Sequence, residues 1–142
     1  MKPLDQWLAE YAGDHIHPVN RKFHLVCVPL IYFSVAGLLH YLPYYIGDAM
    51  IGCAVVWYAM LGMKALLIMA VQVTICLALA EGLRNTCPEN AVYMLIGVFA
   101  IGWIGQFYGH HREGRRPSFF RDLQYLLIGP LWVWLGNHGS KK

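Results

Sequence analysis

Residues 49–80 read AMIGCAVVWYAMLGMKALLIMAVQVTICLALA, an apolar stretch in which Lys64 is the single charge. A membrane-spanning helix needs about 20 apolar residues, so this stretch is too long for one span and long enough for two short ones. Gly62-Met63-Lys64 is the natural interruption and predicts a tight turn there. Outward from it, the pattern repeats. An apolar run from Leu25 to Leu42, with Pro29 near its start, precedes a break at Pro43 to Asp48. A polar segment from Glu81 to Asn90 leads into a further span from Ala91 to about Tyr108, and a last apolar stretch, Leu123 to Leu135, is interrupted by Gly129-Pro130. Residues 1–13 place Leu4, Trp7, Leu8 and Tyr11 at helical spacing with Gly13 as a stop, which is an amphipathic helix suited to a membrane interface. The expected fold is all-α: one integral-membrane domain over residues 1–142, a bundle of about five helices with an N-terminal amphipathic helix. The last of the five is short and partly embedded.

Composition agrees. The chain is 58% hydrophobic and 13% charged, well below the roughly quarter-charged balance of soluble domains. Met1 to Tyr11 carries Asp5 and Glu10 and lacks a signal-peptide core, so the first apolar span is expected to do the inserting. The four cysteines form no C-x-x-C pair, and three of them lie in apolar runs as small hydrophobes. A net charge of +3 argues for no nucleic-acid partner. Its distribution is more telling. If all five helices cross, the N-terminus, Lys64 and the segment after Tyr108 share one side with Lys2, Arg21, Lys22, Lys64, Arg112, Arg115, Arg116 and Arg121, leaving Arg84, Lys141 and Lys142 opposite. The positive-inside rule makes the basic side cytoplasmic. A count that merged residues 49–80 into one span, with Lys64 snorkelling, would put those two segments on opposite sides. Gly102, Gly105 and Gly109 share a helical face, a pattern that lets membrane helices approach closely.

The polar residues gather in two islands on that basic side. Asp14 to His24 contains His15, His17, Asn20 and His24; Gly109 to Pro117 contains His110, His111, Glu113, Arg115 and Arg116. Imidazole is the commonest metal-ligating side chain. Pro18 keeps His17 extended and opens a helix on which Asn20 and His24 share a face. His15, just before that helix, can fold over the same face, so His15 and His24 can hold one ion. His17 is a third ligand, a helix cap or a solvent-facing residue. His110 and Glu113, three apart, can converge at a helix end, whereas His111 points about a quarter-turn away. Two or three histidines with a carboxylate is the arrangement of non-haem Fe(II) oxygenases, although zinc accepts similar ligands. Arg115 and Arg116 can hold the acid end of a fatty acid bidentately, or equally contact anionic headgroups and set topology. His40 and His138, near the other face, read as interfacial anchors. Glu81, at the end of an apolar run, needs a partner or a wet pocket, and on the five-span topology it lies away from the islands.

The run His15-Ile16-His17-Pro18-Val19-Asn20, with His24, Val28-Pro29 and Leu39-His40, resembles the start of the yeast-type 2-hydroxy fatty acid dioxygenases of fatty acid α-oxidation. Gly102 and Trp103 through Gln106, Phe107 and Gly109 to His110, then Glu113 and Arg115-Arg116-Pro117, resemble that family's second signature. The likeness spans about Asp14 to Pro130. It implies a small multi-spanning enzyme needing Fe(2+), with His15, His24 and His110 as iron ligands and Asn20 and Glu113 close by. Where the family has an acidic residue followed by His at the end of the third span, this chain has Glu81-Gly82, which makes His17, His111 and Glu81 further candidate ligands. The resemblance implies a fatty acid and O2 as reactants, membrane lipid as surroundings, and a bacterial inner-membrane setting, and it allows an oligomer. Two other classes stay open from the residues alone. A zinc-dependent membrane hydrolase lacks an H-E-x-x-H helix here, and a non-catalytic lipid-binding or transport protein lacks inverted repeats in so short a chain.

Overall fold

The computed structural model describes residues 2–136; His138, Lys141 and Lys142 lie outside the described residues. Helix α1 (Leu4–Gly13) is followed by α2 (Pro18–His40), a 3-10 turn at Pro43–Tyr45, α3 (Ile46–Leu61), α4 (Met63–Thr86), α5 (Ala91–Glu113), a second 3-10 turn at Ser118–Phe120, and α6 (Tyr125–Leu135). Four segments are long and apolar enough to cross a membrane: Pro18–His40, Pro43–Leu61, Met63–Thr86 and Ala91–Glu113. The turn expected at Gly62-Met63-Lys64 is there. Gly62 alone separates α3 from α4, at φ 123°, a backbone conformation that side chains with a Cβ rarely adopt.

Helix α6 is the short last helix expected, and it does not make a fifth crossing. Its 11 residues rise only about 16 Å, half the hydrocarbon thickness. It packs instead against α1, α2 and α4, burying Ile128, Gly129, Pro130, Leu131 and Trp132. Trp7 and Tyr11 of α1 join Tyr125, Ile128 and Trp132 in one cluster, while Leu131 joins Tyr58, Ala65 and Met69 in another. Four crossings, α2 to α5, still return the chain to its starting side, so both histidine islands and Lys64 share one end of the bundle. Trp57, one turn before the α3–α4 turn, packs edge-on to Trp7 at 6.4 Å.

The outward surface is apolar. Met63, Leu67, Val71, Ile75 and Leu79, four apart along α4, are all exposed, a lipid-facing stripe. The tightest helix pair is α2 with α5, and the small-residue face makes it so. Gly102 lies against Ile31, Gly105 against Cys27 and Gly109 against Asn20. A Cβ on Gly109 would sit 2.6 Å from Asn20 Oδ1. The stripe expected to serve helix packing therefore also sets how closely the second histidine island approaches the first.

Candidate metal centre

Three chain segments meet at the basic end. The link between α1 and α2 carries His15, the second turn of α2 carries His24, and the last turn of α5 carries His110. All three rings are buried, and one nitrogen from each lies within 4.8 Å of the others. His15 Nδ1 lies 2.5 Å from the Tyr11 carbonyl, and its ring stacks on the Tyr11 ring at 4.2 Å. His24 Nδ1 lies 2.9 Å from the carbonyl of Asn20, one turn back. An Nδ1–H that donates to a carbonyl leaves Nε2 as a bare lone pair, the state a metal ligand needs. Burial drives the His15 pKa down to about 4, against smaller opposing effects of the Tyr11 carbonyl, Asp14 and Glu113, so the ring is neutral at physiological pH.

The donor set fits a cation. His15 Nε2 is buried without a hydrogen-bond partner. His24 Nε2 and His110 Nε2 face each other at 3.1 Å. Two imidazole nitrogens bound at about 2.1 Å and at right angles on one ion lie roughly 3.0 Å apart, close to that separation. The three histidines that the resemblance implied are thus brought together.

Glu113 is nearby but engaged elsewhere. Its carboxylate accepts from Ile16 N at 3.2 Å, His17 N at 2.7 Å and Asn20 Nδ2 at 3.2 Å. It ties the end of α5 to the start of α2 and is linked to the triad through Asn20, whose backbone carbonyl holds His24. Among the described residues the cluster is three histidines, and the carboxylate expected beside two or three of them is not part of it. His17 caps α2, its Nδ1 accepting from Val19 N at 3.2 Å. His111 is exposed and lines a shallow outer groove with Arg115, Arg116 and Phe120. Arg115 donates to the Gly13 carbonyl at 3.0 Å and lies 3.9 Å from Asp14.

Glu81 is the clearest displacement from the further ligands expected. Helix α4 leads away from the histidine end, so Glu81 lies about 27 Å along its axis from Met63. There it stands 3.6 Å from His40 Nε2, while Asp48 holds His40 Nδ1 at 2.7 Å. The partner that a carboxylate at a span end requires is His40, and neither group belongs to the triad.

Several neighbours escaped the sequence reading. Asp14 is buried and accepts from Ser118 Oγ at 2.7 Å and from Arg121, pinning the segment before α6 beside the triad. Its position at the head of the first island was the only signal for it. Beyond the triad a cavity of about 420 Å³ runs between α2, α5 and α6. Val28, Ile31, Tyr32, Phe99, Trp103 and Phe119 line its apolar length, His15, His24 and His110 its polar end. Leu123 and Leu126, also lining it, are exposed on the outer surface of the bundle.

Membrane-length helices with buried imidazoles lining an apolar cavity describe a class: integral-membrane proteins with a metal-competent histidine centre. The chain belongs within that class to the Mpo1-like family. The family model, described as 2-hydroxy-palmitic acid dioxygenase Mpo1-like, matches residues 1–140. The chain is 30% identical over 136 residues to the 2-hydroxy-palmitic acid dioxygenase MPO1 of Saccharomyces cerevisiae, an alignment covering 92% of this chain and 76% of the yeast protein. No solved structure matches.

Proposed function

We propose that this protein is an iron-dependent 2-hydroxy fatty acid dioxygenase that shortens its substrate by one carbon. The observation that carries the reading is the buried triad His15, His24 and His110 in the wall of an apolar cavity. The yeast relative's name supplies the substrate class. In the overall reaction the C1–C2 bond of the 2-hydroxy acid breaks, C2 becomes the new carboxyl carbon and C1 leaves as CO2. The four electrons released reduce O2, with one water formed, so no further reductant is needed.

His15, His24 and His110 would hold iron, which when bound supplies the redox chemistry that lets O2 react. The chain's own contributions are distinct from that. Tyr11 and Asn20 carbonyls orient two of the imidazoles, and Glu113 orients Asn20. The cavity walls exclude water and accept the acyl chain, and the exposed Leu123 and Leu126 offer a way in from the bilayer. Arg115 and Arg116 stand in the outer groove that shares His110 with the cavity, where they draw a carboxylate toward the site. The basic distribution favours a cytoplasmic placement of this face, in a bacterial inner membrane.

The test is to incubate the Fe(II)-loaded protein with 2-hydroxyhexadecanoate and O2. Pentadecanoate and CO2 in equal amounts are expected, and neither is expected from hexadecanoate. Consumption of 2-hydroxyhexadecanoate without a one-carbon-shorter acid would refute the reading, as would no consumption by iron-loaded protein.

A further inference from the structure

The apolar cavity contains an amide, Gln106, whose presence the triad does not explain. Gln106 lies one turn before His110 on α5, about 6 Å along the helix and on the same face. It is 6% exposed and lines the cavity beside His15, His24 and His110. Its amide forms no hydrogen bond with any described residue. Ser118 Oγ and the Tyr125 hydroxyl on the same wall are occupied, donating to Asp14 at 2.7 Å and to Glu10 at 2.5 Å, while the unpartnered Trp103 Nε1 can only donate and so cannot receive a hydroxyl proton. A buried amide without partners is costly, and an uncharged apolar residue of the same length would fill the position without that cost. Its donors and acceptor are therefore directed at something that enters the cavity.

An amide offers both hydrogen-bonding roles on adjacent atoms. A 2-hydroxy acid has the matching pair: a hydroxyl proton to give, and carboxylate oxygens to receive. We infer that Gln106 is the specificity residue for the 2-hydroxyl, its amide oxygen accepting the hydroxyl proton while its NH2 donates to the neighbouring carboxylate. This rests on the 2-hydroxy fatty acid reading above and names the group that tells such acids from unsubstituted ones. A site built to hydrogen-bond a hydroxyl rejects the analogue that lacks it because its own polar group is then left unpaired.

The experiment compares equilibrium binding of 2-hydroxyhexadecanoate and hexadecanoate to full-length, iron-loaded protein in detergent: wild type, Gln106→Leu and the unbranched Gln106→Met. Metal content is measured in each. The wild type is expected to prefer the 2-hydroxy acid, and in both variants that preference is expected to fall by roughly 10- to 100-fold with metal content unchanged. A wild-type preference that survives in the variants would overturn the assignment, as would loss of the metal from both variants, which would make Gln106 a support of the triad. A wild type that binds the two acids equally, or binds neither, would instead overturn the functional reading on which the assignment depends.

Discussion

Removing the Glu113 carboxylate separates a residue that holds the site from one that binds its ion. In Glu113→Ala, three donors lose their acceptor: Ile16 N, His17 N and Asn20 Nδ2. Ile16 is exposed, so water replaces its bond at little cost. The bonds from His17 and from the buried Asn20 are made to a charged acceptor in a half-buried setting, where each is worth about 1.5–3 kcal/mol. A destabilisation of about 3–6 kcal/mol follows. Asn20 also positions His24 through its carbonyl, so metal affinity is expected to fall by roughly 10- to 100-fold, the usual effect of losing a group that orients a ligand. Glu113→Gln keeps one carbonyl acceptor but turns an NH2 toward groups that are themselves donors, so its losses are intermediate. Thermal unfolding in detergent and Fe(II) or Co(II) titration of the three proteins measure both quantities. Unchanged stability and affinity in Glu113→Ala would refute the reasoning. Complete loss of metal from a Glu113→Gln protein of wild-type stability would make Glu113 a ligand, contrary to its hydrogen bonding.

Two further outcomes are expected. His15 takes up a proton at about pH 4 in the folded chain against 6.5 when free. Between those values the unfolded state binds more protons, so metal-free protein is expected to lose stability as pH falls from 6.5 to 4, by up to about 3 kcal/mol from this ring, with the contribution complete above 6.5. Chemical denaturation across that window checks the slope, and a flat profile contradicts the buried, neutral ring. At the α2–α5 contact, Gly109→Ala places a Cβ 2.6 Å from Asn20 Oδ1 and 3.3 Å from Asn20 Cα, which forces the helices apart at a cost of about 1–3 kcal/mol and weakens metal binding. Gly97→Ala, whose Cβ meets nothing within 4 Å, is the control and is expected to be neutral or slightly stabilising.

The spans were legible because bilayer thickness imposes a length on apolar runs and Gly62 breaks a run too long for one span. The shortness of α6 was legible too, but the surface it packs on was not. Leu123 to Leu135 is apolar enough to cross, but helix α6 begins only at Tyr125, and Trp7 and Tyr11 of α1 give it an apolar surface to lie on instead. In the site, the triad was readable because histidine is rare in apolar sequence and both islands abut spans. The role of Glu113 was hidden, since spacing alone cannot tell a carboxylate aimed at an ion from one satisfied by backbone N–H groups. Gln106 and Asp14 were harder still. Each is an ordinary residue type, and their significance arises only where chain segments far apart in sequence meet around one cavity.

His15, His24 and His110 are proposed to form one metal site drawn from both islands. Its most direct test is the metal content of anaerobically purified protein loaded with Fe(II), comparing the wild type with His24→Ala and His110→Ala, the folding of each checked by thermal unfolding. Near one iron per chain is expected in the wild type, and its loss is expected from both folded variants. An equal metal content in all three proteins, or none in the wild type, would contradict it.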